Sequence, residues 1–202
     1  MVQGLITMWI LSLGWLLLVV LVFWMTGAVK RLKRLRAGAK QAFVPVGAQL
    51  AQSIELLRNC ARVQSLKDKV SGGVVPQTHH ALAPSADLLE SALEQAQRQP
   101  LKSETIAALE AAWQGAQVAW QAYAQMSVVA TDAPDAQIQE WMQRWQHLAT
   151  VHNHSAAQFN GAVQNYNRAI TQFPACMVAR ISGLKAGRTF QKDAALLMQP
   201  SA

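Results

Sequence analysis

The chain has 202 residues, 51% of them hydrophobic and 14% charged, with a formal net charge of +7. That length suits one folded domain with an appendage, and the hydrophobicity excludes a wholly disordered chain. Eleven glycines, seven prolines and two cysteines exclude collagen-like, proline-rich and disulfide-scaffold classes.

Residues 5–25, LITMWILSLGWLLLVVLVFWM, contain no charged side chain. As a helix they span roughly 30 Å, about one hydrocarbon core. Trp9 and Trp24 lie near the two ends, where indoles favour the headgroup layer. A cleaved signal peptide would carry a basic start and a shorter apolar run, whereas the first basic residue here is Lys30, so the segment predicts an uncleaved anchor. Lys30, Arg31, Lys33, Arg34, Arg36 and Lys40 follow at once, and no acid precedes Glu55. From residue 41 onward 12 basic residues face 11 acidic ones, so the positive charge is local to the anchor's edge. The positive-inside rule predicts that edge in the cytoplasm and residues 1–4 outside. The cluster suits anionic lipid headgroups, and no further basic or aromatic stretch extends it into a nucleic-acid surface.

The remainder predicts helices, because alanine and glutamine dominate and no stretch alternates like a strand. A first helix over 28–70 can continue from the anchor, and Pro45 with Gly47 predicts a kink or break near Phe43–Gly47. Beyond it Val46, Leu50, Ile54, Leu57 and Ala61 form an apolar stripe. The run SGGVVPQTHH over 71–80 predicts a loop. A second helix begins near Pro84 or Ser85, with Leu88, Leu89, Leu93 and Ala96 as its buried face, and ends at Gln99–Pro100. A third, from Leu101 to Val129, places Ile106, Leu109, Trp113, Ala116, Trp120 and Tyr123 at alternating steps of three and four. A break at 131–134 follows, with Asp135 as a candidate cap for the next helix. That fourth helix, about 136–173, carries the longest seam: Ile138, Trp141, Trp145, Leu148, His152, Ser155, Phe159, Ala162, Tyr166, Ala169 and Phe173. Pro174 stops it, and a short amphipathic piece from Met177 to Leu184 precedes a loose end. One-stripe helices of this length need antiparallel partners, which predicts a bundle with coiled-coil spacing.

Few residues suggest chemistry. The five histidines, His79, His80, His147, His152 and His154, lack the three- or four-residue spacing of helical metal ligands, and no metal site or cofactor is predicted. Cys60 reads as a small buried apolar side chain, and neither it nor Cys176 shares a motif with a histidine. Glu90 and Glu94 read as a solvated helix face, and Trp113, Trp120, Trp141 and Trp145 as core. His152 and Ser155 both fall on the apolar seam. They read as a local hydrogen-bonded pair, as a stripe rotated to bring Val151 inward, or as a polar spot in the core that fixes register or senses pH.

Residues 165–190, NYNRAITQFPACMVARISGLKAGRTF, carry the most specific signal. Tyr166, Asn167, Ile170, Phe173, Pro174, Ala179, Gly183 and Phe190 match in order, and the stretch resembles the closing signature of the LemA family. The front is similar too, with Ala42, Phe43, Gln49, Leu50, Glu55, Leu56 and Asn59 in matching places. Phe43 stands where the family usually has Trp, Glu55 where it has Asp and Arg58 where it has Pro. Pro45 and Gly47 are atypical. The resemblance implies a bacterial protein with one amino-terminal membrane helix and a long antiparallel cytosolic bundle, without an established catalytic activity.

Two physical expectations attach to the tail. The Tyr166 hydroxyl can tie down the turning chain, and Asn167 can pair with backbone freed at the helix end. Arg180, Lys185 and Arg188 beside Met177, Ile181 and Leu184 can touch lipid, which places the tail near the membrane end of the bundle. The combined expectation is an all-α chain: a transmembrane anchor over 1–27, an elongated antiparallel helical bundle over 28–190 and a flexible tail over 191–202. It is expected to be a single-pass protein of the bacterial inner membrane, with the bundle in the cytoplasm. It is expected to act as a non-enzymatic scaffold or adaptor for other envelope proteins or itself, with no nucleic acid and no small-molecule substrate. The alternatives are an accessory subunit of a membrane enzyme or protease, and an anionic-lipid-binding protein that remodels membranes.

Overall fold

An apolar stripe that recurs every three to four residues can leave water only against a second such stripe. The computed structural model describes residues 2–71, 81–129, 136–173 and 175–191, and it solves this problem with five helices. These are α1 (Val2–Ser71), α2 (Leu82–Arg98), α3 (Ser103–Val129), α4 (Ala136–Thr171) and α5 (Ala175–Ile181). No strand occurs among the described residues. The predicted loop at 72–80 with His79 and His80, the break at 131–134, the cap Asp135, Pro174 and residues 192–202 lie outside the described residues.

The long helices run antiparallel. Arg58 of α1 meets Asp87 and Glu90 of α2, while Gly47 lies beside Leu93 and Gln97. Phe43 packs edge-on to Phe159 of α4 with ring centres 5.5 Å apart, and Trp24 packs edge-on to Phe173 at 5.3 Å. Indoles join α3 to α4: Trp145 stacks on Trp113 at 5.4 Å and on Trp120 at 4.9 Å. Helices α1 and α4 extend past the ends of α2 and α3 toward the apolar segment. There a second, smaller core forms from Leu32, Tyr166, Ala169, Val178 and Ala179.

All six stripe positions of α3 are buried, as are Val46, Leu50, Ile54 and Leu57 of α1. Three expectations are corrected. Pro45 does not break α1, which is continuous through it. Its ring removes one backbone donor, but the residues around it, Phe43, Val46 and Leu50, are fully packed, and that burial outweighs one lost bond. Leu88 faces solvent at 64% exposure, because Leu89, Leu93 and Ala96 already fill the α2 face with Ala86 and Ala92. On α4, Val163 rather than Ala162 is buried, and Phe173 lies 62% exposed just past the helix end. Helix α2 also starts slightly earlier than expected, with Pro84 in its first turn, where a missing N–H costs nothing.

From Leu13 to Trp24 every side chain of α1 is exposed. This is one helix long and apolar enough to cross a membrane. Because Pro45 leaves a gap in an otherwise continuous ladder, Pro45→Ala is expected to stabilise the bundle by about 1–3 kcal/mol. The check is a thermal melt, where a rise of several degrees is expected. A lower melting temperature would mean that ring packing matters more than the missing bond.

Candidate functional site

Residues seven apart on a helix return to one face about 10.5 Å along its axis. Three residues of extended chain cover about 10 Å. Asn160 and Asn167 of α4 have the first spacing, and Gly187 and Phe190 have the second, in the irregular stretch after α5. The two rows meet. Asn167 Nδ2 donates to the Gly187 carbonyl at 2.8 Å while the Gly187 N–H donates to Asn167 Oδ1 at 2.8 Å. Asn160 Nδ2 donates to the Phe190 carbonyl at 2.9 Å and the Phe190 N–H donates to Asn160 Oδ1 at 2.7 Å. Each side-chain amide thus stands in for a neighbouring strand, and residues 184–191 form a strap along α4.

Two further groups fix the strap. The Tyr166 hydroxyl donates to the Lys185 carbonyl at 3.1 Å. Glu110 of α3, buried to 8% exposure, accepts the Gln191 N–H at 2.6 Å on one oxygen and an Arg188 N–H at 3.1 Å on the other. A buried carboxylate needs such partners. Two glycines permit the path. Gly183 adopts φ +62, and the Leu184 N–H reaches the Ala179 carbonyl at 2.9 Å in the left-handed turn that closes α5. At Gly187 a Cβ would lie 3.1 Å from Val163 Cγ1 and 3.4 Å from Leu101 Cδ2, so only a glycine lets the strap pass between α4 and the α2–α3 turn without displacement.

The structure therefore brings most of the tail signature together. Tyr166 and Asn167 grip the strap, Gly183 turns it, Ile170 packs on the smaller core, and Phe190 inserts beside Phe159 at 5.5 Å. Phe173 stands apart against Trp24, and Pro174 lies outside the described residues. The partner of Asn167 is strap backbone, not the freed end of α4. Sequence reasoning missed Asn160, Glu110 and Gly187. The seven-residue interval between the two asparagines was the available signal.

His152 and Ser155 are both buried, at 3% and 5% exposure, so the seam is not rotated toward Val151. The imidazole lies 4.6 Å from the Trp113 ring centre and 6.2 Å from that of Phe190. Its Nδ1 has no hydrogen-bond partner, and burial pushes its pKa down to about 4. Cys60 is fully buried and its thiol is pushed up to about 12 by desolvation, which keeps it protonated. Glu90 is not simply solvated. Arg58 forks onto it at 3.0 and 2.6 Å and reaches Asp87 at 2.7 Å. The hydrogen bonds from Arg58 hold the Glu90 carboxyl below its usual range. Arg58 is thus a clamp between α1 and α2.

The basic residues Lys30, Arg31, Lys33, Arg34, Arg36 and Lys40 are all exposed on α1. Arg31 lines an apolar recess of about 340 Å³ with Trp24, Leu32 and Phe173. Among the described residues no group of three or more His, Cys, Asp or Glu side chains could hold a metal ion.

Asn160→Ala and Asn167→Ala each remove two bonds and leave backbone groups unpaired, so each is expected to cost about 2 kcal/mol. Denaturant unfolding measures that loss, and amide exchange at Gly187 and Phe190 should accelerate. Unchanged exchange would mean that the strap is held otherwise. A second expectation concerns acid. Unfolded histidine titrates near 6.5. Between that pH and about 4 the unfolded chain binds a proton that folded His152 refuses, so stability is complete above the higher value and falls as pH drops. The loss approaches about 3 kcal/mol. In His152→Phe the difference between urea midpoints at pH 7.5 and pH 4.5 should shrink, and an unaltered difference would assign the acid sensitivity elsewhere.

No match is found among the curated proteins or among the solved structures. The family model described as LemA family matches residues 81–201. This covers α2 through the strap and leaves the front block of α1 outside. With more than half of its length matched, and with Tyr166, Asn167, Gly183 and Phe190 of the signature assembled into one clasp, the chain belongs to the LemA family.

Proposed function

We propose that the protein is a single-pass, membrane-anchored and non-enzymatic adaptor that presents its helical bundle at the cytoplasmic face of a bacterial inner membrane. The observation that carries this reading is the exposed run from Leu13 to Trp24. Each such side chain gains about 1.5–3 kcal/mol on leaving water, so the run requires an apolar cover. A bilayer suits its length, and the basic collar that follows suits the inner leaflet. The non-enzymatic part is supported by the clasp, where the polar groups of Tyr166 and Asn167 are engaged by strap backbone. Partners are other envelope proteins or further copies of the chain.

A second role has its own observation. Phe173, Met177 and Ile181 are 62%, 49% and 80% exposed, four residues apart, at the end of the molecule where Phe173 meets Trp24. This apolar edge continues the anchor's surface and suits insertion into the anionic interface beside Arg180.

The test is a reporter fused after Ala202 together with membrane fractionation and in-cell crosslinking. Cytoplasmic reporter activity, sedimentation with inner membranes and crosslinks to envelope proteins or to the chain itself are expected. A mature species that begins beyond residue 25 and stays soluble would overturn the anchor. Met177→Ser with Ile181→Ser should weaken binding of residues 28–202 to anionic vesicles severalfold, and unchanged binding would remove the second role.

A further inference from the structure

Three stretches far apart in sequence meet beside the smaller core. Arg36 and Lys40 come from α1, Arg98 from the end of α2 and Lys102 from the α2–α3 turn that follows it, and Lys185 from the start of the strap. They surround an open hollow of about 300 Å³ floored by Leu101 and Leu184, and no carboxylate lines it. Glu104 balances Lys102 at 2.9 Å, and Glu94 reaches Arg98 only at 4.0 Å. Arg36, Lys40 and Lys185 form no ion pair among the described residues.

The backbone that carries these charges is fixed. The Tyr166 hydroxyl holds the Lys185 carbonyl, and the Thr105 hydroxyl donates to the carbonyls of Gln99 and Lys102 at 2.8 and 2.9 Å. The fold therefore holds like charges together at a place where an unliganded surface would disperse them. A compact anion with several charges relieves that repulsion, and phosphate oxygens match both the arginine fork and the lysine point charges.

Depth decides the source of the anion. This step rests on the anchor reading. From Thr26 to Arg36 the helix rises about 15 Å, and to Lys40 about 21 Å. The headgroup layer is only roughly 5–8 Å thick. Lys30 and Arg31 lie at headgroup height and Lys33 and Arg34 just past it, whereas Arg36 stands about 7 Å and Lys40 about 13 Å beyond the layer, so the Lys40 side of the hollow lies outside the screening length of about 8 Å. We propose that this hollow binds a soluble ligand carrying two or more phosphate groups.

The test uses the full chain in nanodiscs of phosphatidylcholine, titrated calorimetrically with inorganic pyrophosphate at low salt. Saturable binding is expected, with affinity reduced roughly tenfold or more in Lys40→Gln with Lys185→Gln. Arg34→Gln, on the collar, should bind as the unaltered chain does, and the melting temperature reports that the variants remain folded. Four outcomes overturn the proposal: no saturable heat, binding retained in the double variant, equal heats with sulfate at matched ionic strength, or binding of phosphatidylglycerol in the disc with none of pyrophosphate. Detergent-free partitioning of the same preparation scores the anchor separately, so pyrophosphate can bind a chain that proves not to need a membrane, and an anchored chain can fail to bind it.

Discussion

The architecture depends on two side-chain amides that treat one chain segment as if it were a strand. Without the Asn160 and Asn167 pairs, residues 184–191 would have neither a helix ladder nor a sheet to satisfy their backbone, and would belong to solvent. Ordering an irregular segment costs conformational entropy, which fixed partners must offset. The clasp supplies them at Leu184, Lys185, Gly187, Phe190 and Gln191, through the turn at Gly183, one tyrosine, two asparagines and one glutamate. It also explains a geometric need. Helices α2 and α3 do not reach this end of the bundle, so the stretch of α1 around Leu32 and the last turns of α4 face each other with neighbours missing. Val178 and Ala179 of α5 fill one side of that gap, and the strap fills the next.

The clasp and the aromatic core are one structure. Phe190 is held by its backbone on Asn160 while its ring lies against Phe159 and His152. His152 in turn lies against Trp113, and Trp113 against Trp145. Stacked indoles carry the contact between α3 and α4, where wide aromatic surfaces fill the space between the axes. A neutral imidazole among such rings keeps its apolar character only while it is unprotonated. The polar position in the seam therefore opposes protonation of its imidazole, and acid weighs against the folded core there.

Much of this was legible in the sequence. The three-four spacing of α3 located six buried positions from Ile106 to Tyr123, because one-sided packing leaves that period little freedom, and it passed over Glu110 and Ala119 beside them. Tyr166 was expected to tie down the tail, and it does, whereas Asn167, expected to pair with the freed end of α4, holds the strap at Gly187 instead. What escaped reading involves partners distant in sequence. Pro45 is a local signal for a break, and tertiary burial around Phe43 and Val46 overrode it. Leu88 looked as apolar as Leu89, and only the presence of α1 and α3 decides which one turns inward. Glu110 sits next to the stripe residue Leu109 and reads as a charged flank, until Gln191 and Arg188 arrive from about eighty residues away. Arg58 likewise has meaning only opposite Asp87 and Glu90. The basic hollow draws on three separate stretches, so no window of sequence contains it.

The unbroken course of α1 has a mechanical consequence. From Thr26 at the end of its apolar part to the Arg58 clamp there are 32 residues, a rise of about 48 Å without a joint. A helix braced on two sides over most of that length behaves as a ruler. It fixes how far the distal tip stands from its base, and any partner that engages the tip is selected by its reach as well as by its surface.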